Sequence, residues 1–342
     1  ALNAHLIEEA VVVLDAEDRI EWMNPVAEEH FGLGLKRDRQ QPITNLVRHP
    51  SFAAYLASPT YAEPLTLRGE TERILSIQLV PYGDNEKLLL SRDITRWERL
   101  ESVRRDFIAN VSHELRTPLT VMKGFLETLS DTDRSDERTY RRALELMTGQ
   151  AERMQRLVED LLMLSRLEDS RSLLREEPLD VPALVAALVN EGQSISRGNH
   201  RFSTRLEPVW LLASREEVRS AFTNLVTNAV HYTPPGGDIV VTWSLEGGDP
   251  VLRVRDNGEG IAPEHIPRLT ERFYRVDRGR SRASGGTGLG LAIVKHVLQR
   301  HQGRLAIESR PGEGSTFSCI FPAARALPAR TEAAEVTPIR AA

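Results

Sequence analysis

The chain of 342 residues is too long for one ordinary hydrophobic core, so we expect two or three domains. Its residues are 40% hydrophobic and 27% charged, and the net charge of -5 gives no support to direct nucleic-acid binding. The single cysteine, Cys319, excludes an intramolecular disulfide framework and lies in an alternating run that predicts a buried strand. No apolar run approaches the roughly 20 residues that a membrane-spanning helix needs.

The first segment, residues 1–93, is rich in predicted strands. Two β-branched runs between Val11 and Asn24 surround a polar turn and predict a hairpin. Residues 26–31 predict a short helix that ends at Gly32, and further strands are predicted at 64–80 and 87–94. The pattern resembles a PAS sensor domain.

The signal that this segment receives is left open by its sequence. It contains no cysteine, which excludes a cysteine-adduct photoreceptor. His30 and His49 are candidate haem ligands, but we expect solvated surface histidines. A small ligand in a pocket, dimerisation and docking of a regulatory partner stay as alternatives.

Residues 106–120 contain the most informative motif of the chain. Apolar residues recur at steps of three and four and predict one face of a helix: Leu100, Val103, Phe107, Val111 and Leu115. His113 lies off this stripe, so its imidazole should project to solvent or into a partner's site. Thr117 is stacked one turn later, Glu114 lies beside both, and Pro118 predicts a bend.

The segment Asn110-Val-Ser-His-Glu-Leu-Arg-Thr-Pro-Leu resembles the phosphoacceptor box of two-component sensor histidine kinases. The resemblance implies that His113 is the phosphorylated nucleophile and that Glu114 accepts its proton. It also implies that Thr117 positions a water molecule that hydrolyses the phosphoaspartate of a response regulator.

A connector at residues 94–104, expected to form a coiled coil, precedes a predicted helical hairpin at residues 105–170. Each predicted helix has an apolar face that is too wide for two helices to cover. The simplest solution is a four-helix bundle made by two chains, which predicts a homodimer. The alternative is a hairpin that packs on another domain of its own chain.

The C-terminal segment, residues 176–323, alternates predicted strands and helices and suggests an α/β sandwich. Ser214 and Glu217 have the spacing of a capping box and predict the start of a helix. On that helix Asn224 and Asn228 face one side. The run from Asn224 resembles the N box of histidine-kinase ATP-binding domains, which implies that Asn228 binds Mg²⁺, with Asn224 close to it and Tyr232 near the phosphates.

Two further motifs of this segment resemble nucleotide-binding boxes. Asp256, Gly258 and Gly260 follow a predicted strand and resemble the G1 box, which implies that Asp256 binds the adenine N6 amine. The run Glu271-Arg-Phe-Tyr-Arg-Val-Asp resembles the F box, which implies that Arg275 reaches the γ-phosphate. The polar, glycine-rich residues 278–286 are expected to form a mobile lid.

A glycine-rich turn that opens a predicted helix resembles the G2 box: Gly286, Thr287, Gly288, Leu289 and Gly290. Free N–H groups at a helix start bind phosphates. With all four boxes in order, the segment resembles the Bergerat ATP-binding fold, which implies ATP and Mg²⁺ as ligands. His231 stands where the family often has lysine, so its contact with phosphate is in doubt.

The predicted fold class is therefore α+β multidomain, with a PAS domain, a helical-hairpin dimerisation domain and a Bergerat-type α/β sandwich. The residues around His113 and those at 260–277 resemble the phosphate-regulon sensor kinases. This subfamily implies a DNA-binding response regulator as partner and a location in the cytoplasm behind an inner-membrane anchor that these residues lack. Residues 324–342 are predicted to be a disordered tail.

Two other functions stay open at this point. An ATPase of the DNA-gyrase or chaperone type would need the nucleotide boxes but not the box around His113. A non-catalytic scaffold would use only the PAS domain and the helical bundle.

Overall fold

The computed structural model describes residues 9–68, 73–83, 85–131, 137–169, 173–276 and 286–329. The chain divides into two compact units, Ala1–Ala109 and Asn110–Ala342, and each is described separately. Within the described residues, no helix combines the length and the apolar character needed to cross a membrane.

The first unit is built on a five-stranded antiparallel sheet with the strand order β2-β1-β5-β4-β3. The strands are β1 (Ala10–Leu14), β2 (Ile20–Met23), β3 (Leu65–Arg68), β4 (Ile74–Tyr82) and β5 (Glu86–Asp93). Four short helices lie between β2 and β3: α1 (Pro25–Phe31), α2 (Leu35–Asp38), α3 (Ile43–Leu46) and α4 (Pro50–Leu56). The predicted hairpin and strands are confirmed.

Local sequence sets the first and last residues of helix α1. The Asn24 side chain accepts a hydrogen bond of 2.9 Å from the backbone N–H of Ala27, and Pro25 occupies the first turn. Gly32 ends the helix with φ of 66°, a left-handed conformation that glycine adopts without strain.

The two histidines of this unit differ in their surroundings. His49 is exposed, as expected. His30 is half-buried, and its Nδ1 lies 3.1 Å from the hydroxyl of Ser91 on β5, so the expectation of a solvated side chain is wrong for His30.

Two long helices follow, α5 (Thr95–Asp131) and α6 (Glu137–Glu168). Helix α5 is continuous across Pro118, whose ring is buried. Several large apolar side chains of α5 and α6 are more than one-third exposed in the single chain: Ile108, Leu119, Leu126, Leu144, Leu146, Val158 and Leu162. Their exposure agrees with the expectation that the two helices of one chain do not cover all of their apolar surface.

The rest of the second unit contains two sheets, with the strand orders β11-β12-β10-β9-β7 and β13-β8-β6. Their strands are β6 (Glu177–Leu179), β7 (Arg201–Leu206), β8 (Val209–Ala213), β9 (Asp238–Glu246), β10 (Asp249–Asp256), β11 (Arg304–Arg310), β12 (Gly314–Ile320) and β13 (Ala326–Pro328). Helices α7 (Val181–Ser196), α8 (Arg215–Tyr232) and α9 (Gly290–Arg300) pack on the sheets. This arrangement confirms the predicted α/β sandwich.

An aromatic cluster fills the core between α8 and the large sheet. The rings of Phe222, Trp243 and Phe321 lie within 6.4 Å of one another, centroid to centroid. The indole N–H of Trp243 donates to the carbonyl oxygen of Val209 at 2.8 Å, so the one polar group of this buried ring is satisfied. Cys319 is buried in β12, and burial raises the pKa of its thiol, which fits the predicted structural role.

Two predictions about this unit need correction. The disordered tail does not begin at residue 324, because β13 pairs with β8 and the buried guanidinium of Arg325 bonds Glu176 at 2.6 Å and the carbonyl of Leu212 at 2.9 Å. Residues 330–342 of the predicted tail lie outside the described residues. Helix α8 does start after Ser214, but the Ser214 side chain makes no capping hydrogen bond. Glu217 instead pairs with Arg300 of α9 at 3.2 Å.

Candidate active site

The candidate phosphoacceptor segment lies in the middle of α5. His113 and Thr117 are both exposed, and the Thr117 hydroxyl donates to the carbonyl oxygen of His113 at 3.1 Å. His113 therefore projects to solvent, as its position off the apolar stripe predicted.

Glu114, the candidate base, is held from the second helix of the hairpin. Its carboxylate pairs with the guanidinium of Arg153 on α6 at 2.8 Å, and the two side chains are 23% and 14% exposed. Sequence reasoning missed Arg153, because the pair joins residues 39 positions apart and depends on the register between α5 and α6. The ion pair with Arg153 thus fixes the carboxylate of Glu114, the residue after His113, on the side of α5 that faces α6.

The N box lies on α8 with its two amides half-buried on one face. The Asn224 amide nitrogen donates to the carbonyl of Ser220 at 3.0 Å, which leaves its Oδ1 as an acceptor. A Cβ atom added to Gly290 would lie 2.3 Å from that Oδ1, so the first residue of α9 rests directly on the N box. Asn228 follows one turn after Asn224, and Tyr232 is 49% exposed at the end of α8.

The G1 turn follows β10 and fixes the candidate adenine ligand. Asp256 is 5% exposed, and its Oδ1 accepts hydrogen bonds from the backbone N–H groups of Gly258 at 2.9 Å and Ser315 at 3.3 Å. Burial raises the pKa of Asp256, and these two bonds act in the opposite direction. The carboxylate is therefore held by backbone donors and stays in one orientation.

The glycines of this turn are required by the protein's own backbone. A Cβ on Gly258 would lie 2.3 Å from the carbonyl oxygen of Tyr232, and one on Gly260 would lie 1.9 Å from that of Arg310. Gly260 also has φ of 68°, where other residues are strained. Close packing against α8 and the end of β11 therefore explains both glycines.

The F box and the G2 turn lie against each other. The N–H of Phe273 donates to the carbonyl of Gly288 at 2.8 Å, and a Cβ on Gly286 would lie 3.3 Å from Nη2 of Arg275. Within the turn, the N–H of Leu289 donates to the Thr287 hydroxyl at 3.2 Å. Helix α9 begins one residue later with its N-terminus beside Asn224. Residues 278–285 of the predicted lid lie outside the described residues.

Two observations were not expected from the sequence. The Thr287 hydroxyl donates to the carboxylate of Asp160 on α6 at 2.7 Å, so the G2 turn is bound to the second helix of the hairpin. His231 is half-buried on α8, and burial together with the positive charge of Arg156 lowers its pKa. The structure thus brings the N, G1, F and G2 boxes together, while His113 lies on α5.

Three family descriptions match consecutive parts of the chain. Residues 4–62 match a PAS domain, residues 103–170 match the "His Kinase A (phospho-acceptor) domain", and residues 213–325 match "Histidine kinase-, DNA gyrase B-, and HSP90-like ATPase". The expected order of the three domains is confirmed, although their precise boundaries stay predictions.

Full-length relatives and a solved structure agree with these matches. The phosphate regulon sensor protein PhoR of Pseudomonas aeruginosa is 48% identical over 331 residues, covering 96% of this chain and 75% of the relative. The protein of the same name from Haemophilus influenzae is 34% identical over 321 residues, with 94% and 75% covered. The fold also resembles the histidine kinase ThkA in its complex with response regulator protein TrrA, with a TM-score of 0.52, 22% identity, and 92% and 95% covered.

A phosphoacceptor hairpin joined to a Bergerat-type ATP-binding domain defines a sensor histidine kinase, an enzyme that uses ATP. The alternatives of a gyrase-type ATPase and of a non-catalytic scaffold are therefore wrong. Within this class, the chain belongs to the PhoR family of phosphate regulon sensor proteins.

Proposed function

We propose that His113 is the residue that this kinase phosphorylates and that ATP binds between α8, the G1 turn and the start of α9. The single observation that carries the proposal is the contact of all four nucleotide boxes in one place. Gly290 rests on Asn224, Gly286 faces Arg275, and the G1 turn packs on the end of α8.

The residues present suit Mg²⁺ bound to ATP phosphates. The Oδ1 of Asn224 is left as an acceptor, and Asn228 lies one turn away on the same face of α8. Amide oxygens suit this cation, which keeps several waters and takes its remaining ligands from phosphates. When bound, Mg²⁺ neutralises charge that develops on the transferred phosphoryl group.

Phosphoryl transfer depends on positioning and charge neutralisation more than on covalent chemistry by the protein. The imidazole nitrogen of His113 attacks the γ-phosphorus in line, the bond to the β–γ bridging oxygen breaks, and ADP leaves. Glu114 accepts the imidazole proton. Asp256 orients the adenine, and Arg275 with the N–H groups at the start of α9 holds the phosphates.

The kinase acts as a homodimer on a response regulator. The exposed apolar face of α5 and α6 supports a four-helix bundle formed by two chains. The phosphoryl group passes from His113 to an aspartate of the regulator. Similarity to the PhoR proteins supports a DNA-binding transcription factor of the phosphate-starvation response as that partner, and a membrane anchor outside these 342 residues.

The transfer step has a direct test. The full chain is labelled with γ-labelled ATP, freed of nucleotide, and mixed with a phosphate-regulon-type response regulator. The label should leave the kinase and appear on the regulator, and a regulator whose acceptor aspartate is replaced by asparagine should receive none. A label that stays on the kinase with the intact regulator would contradict the proposed partner.

We also assign a phosphatase role to Thr117, which would position a water for attack on the regulator's phosphoaspartate. Thr117→Ala should abolish phosphatase activity and leave autophosphorylation largely intact. Thr120→Ala is a matched control, because Thr120 is also exposed on α5 and donates to a backbone carbonyl one turn back, that of Arg116, at 2.9 Å. Equal loss of both activities in Thr117→Ala would reject this division of labour.

A further inference from the structure

The hydroxyl of Thr287 lies where the proposed function places the ATP phosphates. Its neighbours in the G2 turn define that position, because Gly286 faces the guanidinium of Arg275 and Gly290 faces the amide oxygen of Asn224. Thr287 is therefore part of a turn that contacts the candidate γ-phosphate ligand at one end and the N box at the other.

In this structure the single donor of that hydroxyl is already used by the protein. It donates to Oδ2 of Asp160 at 2.7 Å and accepts from the N–H of Leu289 at 3.2 Å. A hydroxyl has one proton to donate. A phosphate oxygen can receive this proton only if Asp160 gives it up.

The negative charges of the Asp160 carboxylate and of a phosphate group further disfavour the presence of both at the Thr287 hydroxyl. Asp160 is half-buried, and burial raises the pKa of its carboxyl while the bond from Thr287 acts in the opposite direction. A carboxylate and a phosphate in the same partly dry site repel each other. Nucleotide and Asp160 therefore compete for the G2 turn by charge as well as by hydrogen bonding.

Further contacts between α6 and the ATP-binding domain include ion pairs near the end of α6. Glu168, two turns after Asp160, pairs with Arg272 and lies 3.5 Å from Nε2 of His296. Arg166 lies 3.3 Å from Glu216, and both side chains are mostly exposed. An exposed ion pair such as that of Arg166 and Glu216 contributes about 0–1 kcal/mol. The Arg166–Glu216 pair can therefore be exchanged for water at little cost when the domain leaves α6.

We propose that Asp160 is an internal competitor of ATP, which binds the Thr287 hydroxyl when the ATP-binding domain is docked on α6 and must release it before nucleotide phosphates bind. The proposal rests on the proposed function, since it needs the phosphates at the G2 turn. Because binding equilibria are reciprocal, docking on α6 weakens nucleotide binding, and nucleotide in turn releases the domain from α6.

The test measures the affinity of the full chain for a fluorescent ATP analogue, trinitrophenyl-ATP. Asp160→Ala should bind it roughly three- to tenfold more tightly than wild type, the range expected when one hydrogen bond of ordinary net strength, about 0.5–1.5 kcal/mol, no longer competes. Asp160→Asn, which keeps the shape and removes the charge, should show a smaller gain. Glu159→Ala is the matched control, because it removes an adjacent, exposed carboxylate and should bind like wild type.

A double substitution separates competition from a general effect on folding. In a Thr287→Val background, Asp160→Ala should give a clearly smaller gain in affinity, because the shared hydroxyl is gone and only the charge repulsion is relieved. Unchanged or weaker binding by both Asp160 variants, or the same gain with and without Thr287, would overturn the proposal. Absence of nucleotide binding in wild type would instead contradict the proposed function itself.

Discussion

The contact of Gly290 with the N box leads to the sharpest quantitative prediction. A methyl group at Gly290 would lie 2.3 Å from Oδ1 and 3.0 Å from Cγ of Asn224, well inside ordinary contact distance. Alanine is favoured over glycine inside a helix by up to about 1 kcal/mol, but overpacking costs about 1–3 kcal/mol. Moving the Asn224 amide also breaks its 3.0 Å bond to Ser220, worth about 1 kcal/mol.

The unfavourable effects are larger, so Gly290→Ala should lower the free energy of unfolding by about 1–3 kcal/mol. It should also weaken nucleotide binding at least tenfold, which corresponds to about 1.4 kcal/mol, because the Asn224 oxygen is displaced. Trinitrophenyl-ATP titration and thermal unfolding of the same samples measure the two effects.

Gly124→Ala is the control for the helix contribution alone. Gly124 is exposed on α5, and an added Cβ would meet nothing within 4 Å. This variant should be more stable by up to about 1 kcal/mol and should bind nucleotide like wild type. If Gly290→Ala also binds nucleotide like wild type, the close approach of α9 to the N box has no role in the site and the reasoning is refuted.

Three further predictions concern charge and protonation. Arg153→Ala should lower the rate of autophosphorylation and change its pH profile, because the carboxylate of Glu114 loses its partner. Arg153→Lys, which keeps the positive charge, should restore much of the rate and of the profile. An equal, pH-independent loss of rate in the two variants would argue against a positioning role. If His231 contacts phosphate, nucleotide affinity should rise as the pH falls through a value below its ordinary pKa of about 6.5, and a flat profile would exclude the contact. Burial lowers the pKa of His301, whose Nε2 accepts a hydrogen bond from the Ser214 N–H at 3.1 Å. The unfolded chain therefore binds more protons than the folded chain, and the free energy of unfolding should fall as the pH drops below about 6.5. Urea titrations of wild type and His301→Gln should show a weaker pH dependence in the variant.

Local signals explain why much of this fold was predictable. Asn24 and Gly32 mark the two ends of α1 by their capping chemistry, and the alternating burial of β1 follows its β-branched run. The nucleotide boxes were likewise recognisable from their residues and their order, and the structure places Gly290 of one box against Asn224 of another.

The features that were missed all depend on contacts distant in sequence. Polar, alanine-rich composition suggested disorder after residue 323, but one buried guanidinium, that of Arg325, finds partners in Glu176 and Leu212 and fixes a strand. The bond between Asp160 and Thr287 joins residues 127 positions apart and depends on how α9 docks on α6. Spacing along the chain carries no information about such pairs.

The assignment of His113 as the phosphorylated residue is tested most directly by incubating the full chain with γ-labelled ATP and Mg²⁺, in parallel with His113→Gln. We predict a label on wild type that is labile in acid and stable in alkali, as expected for phosphohistidine, and no label on the variant. Trinitrophenyl-ATP binding by both proteins serves as the control for an intact ATP site. A label of equal amount on His113→Gln would place the acceptor elsewhere and contradict the account.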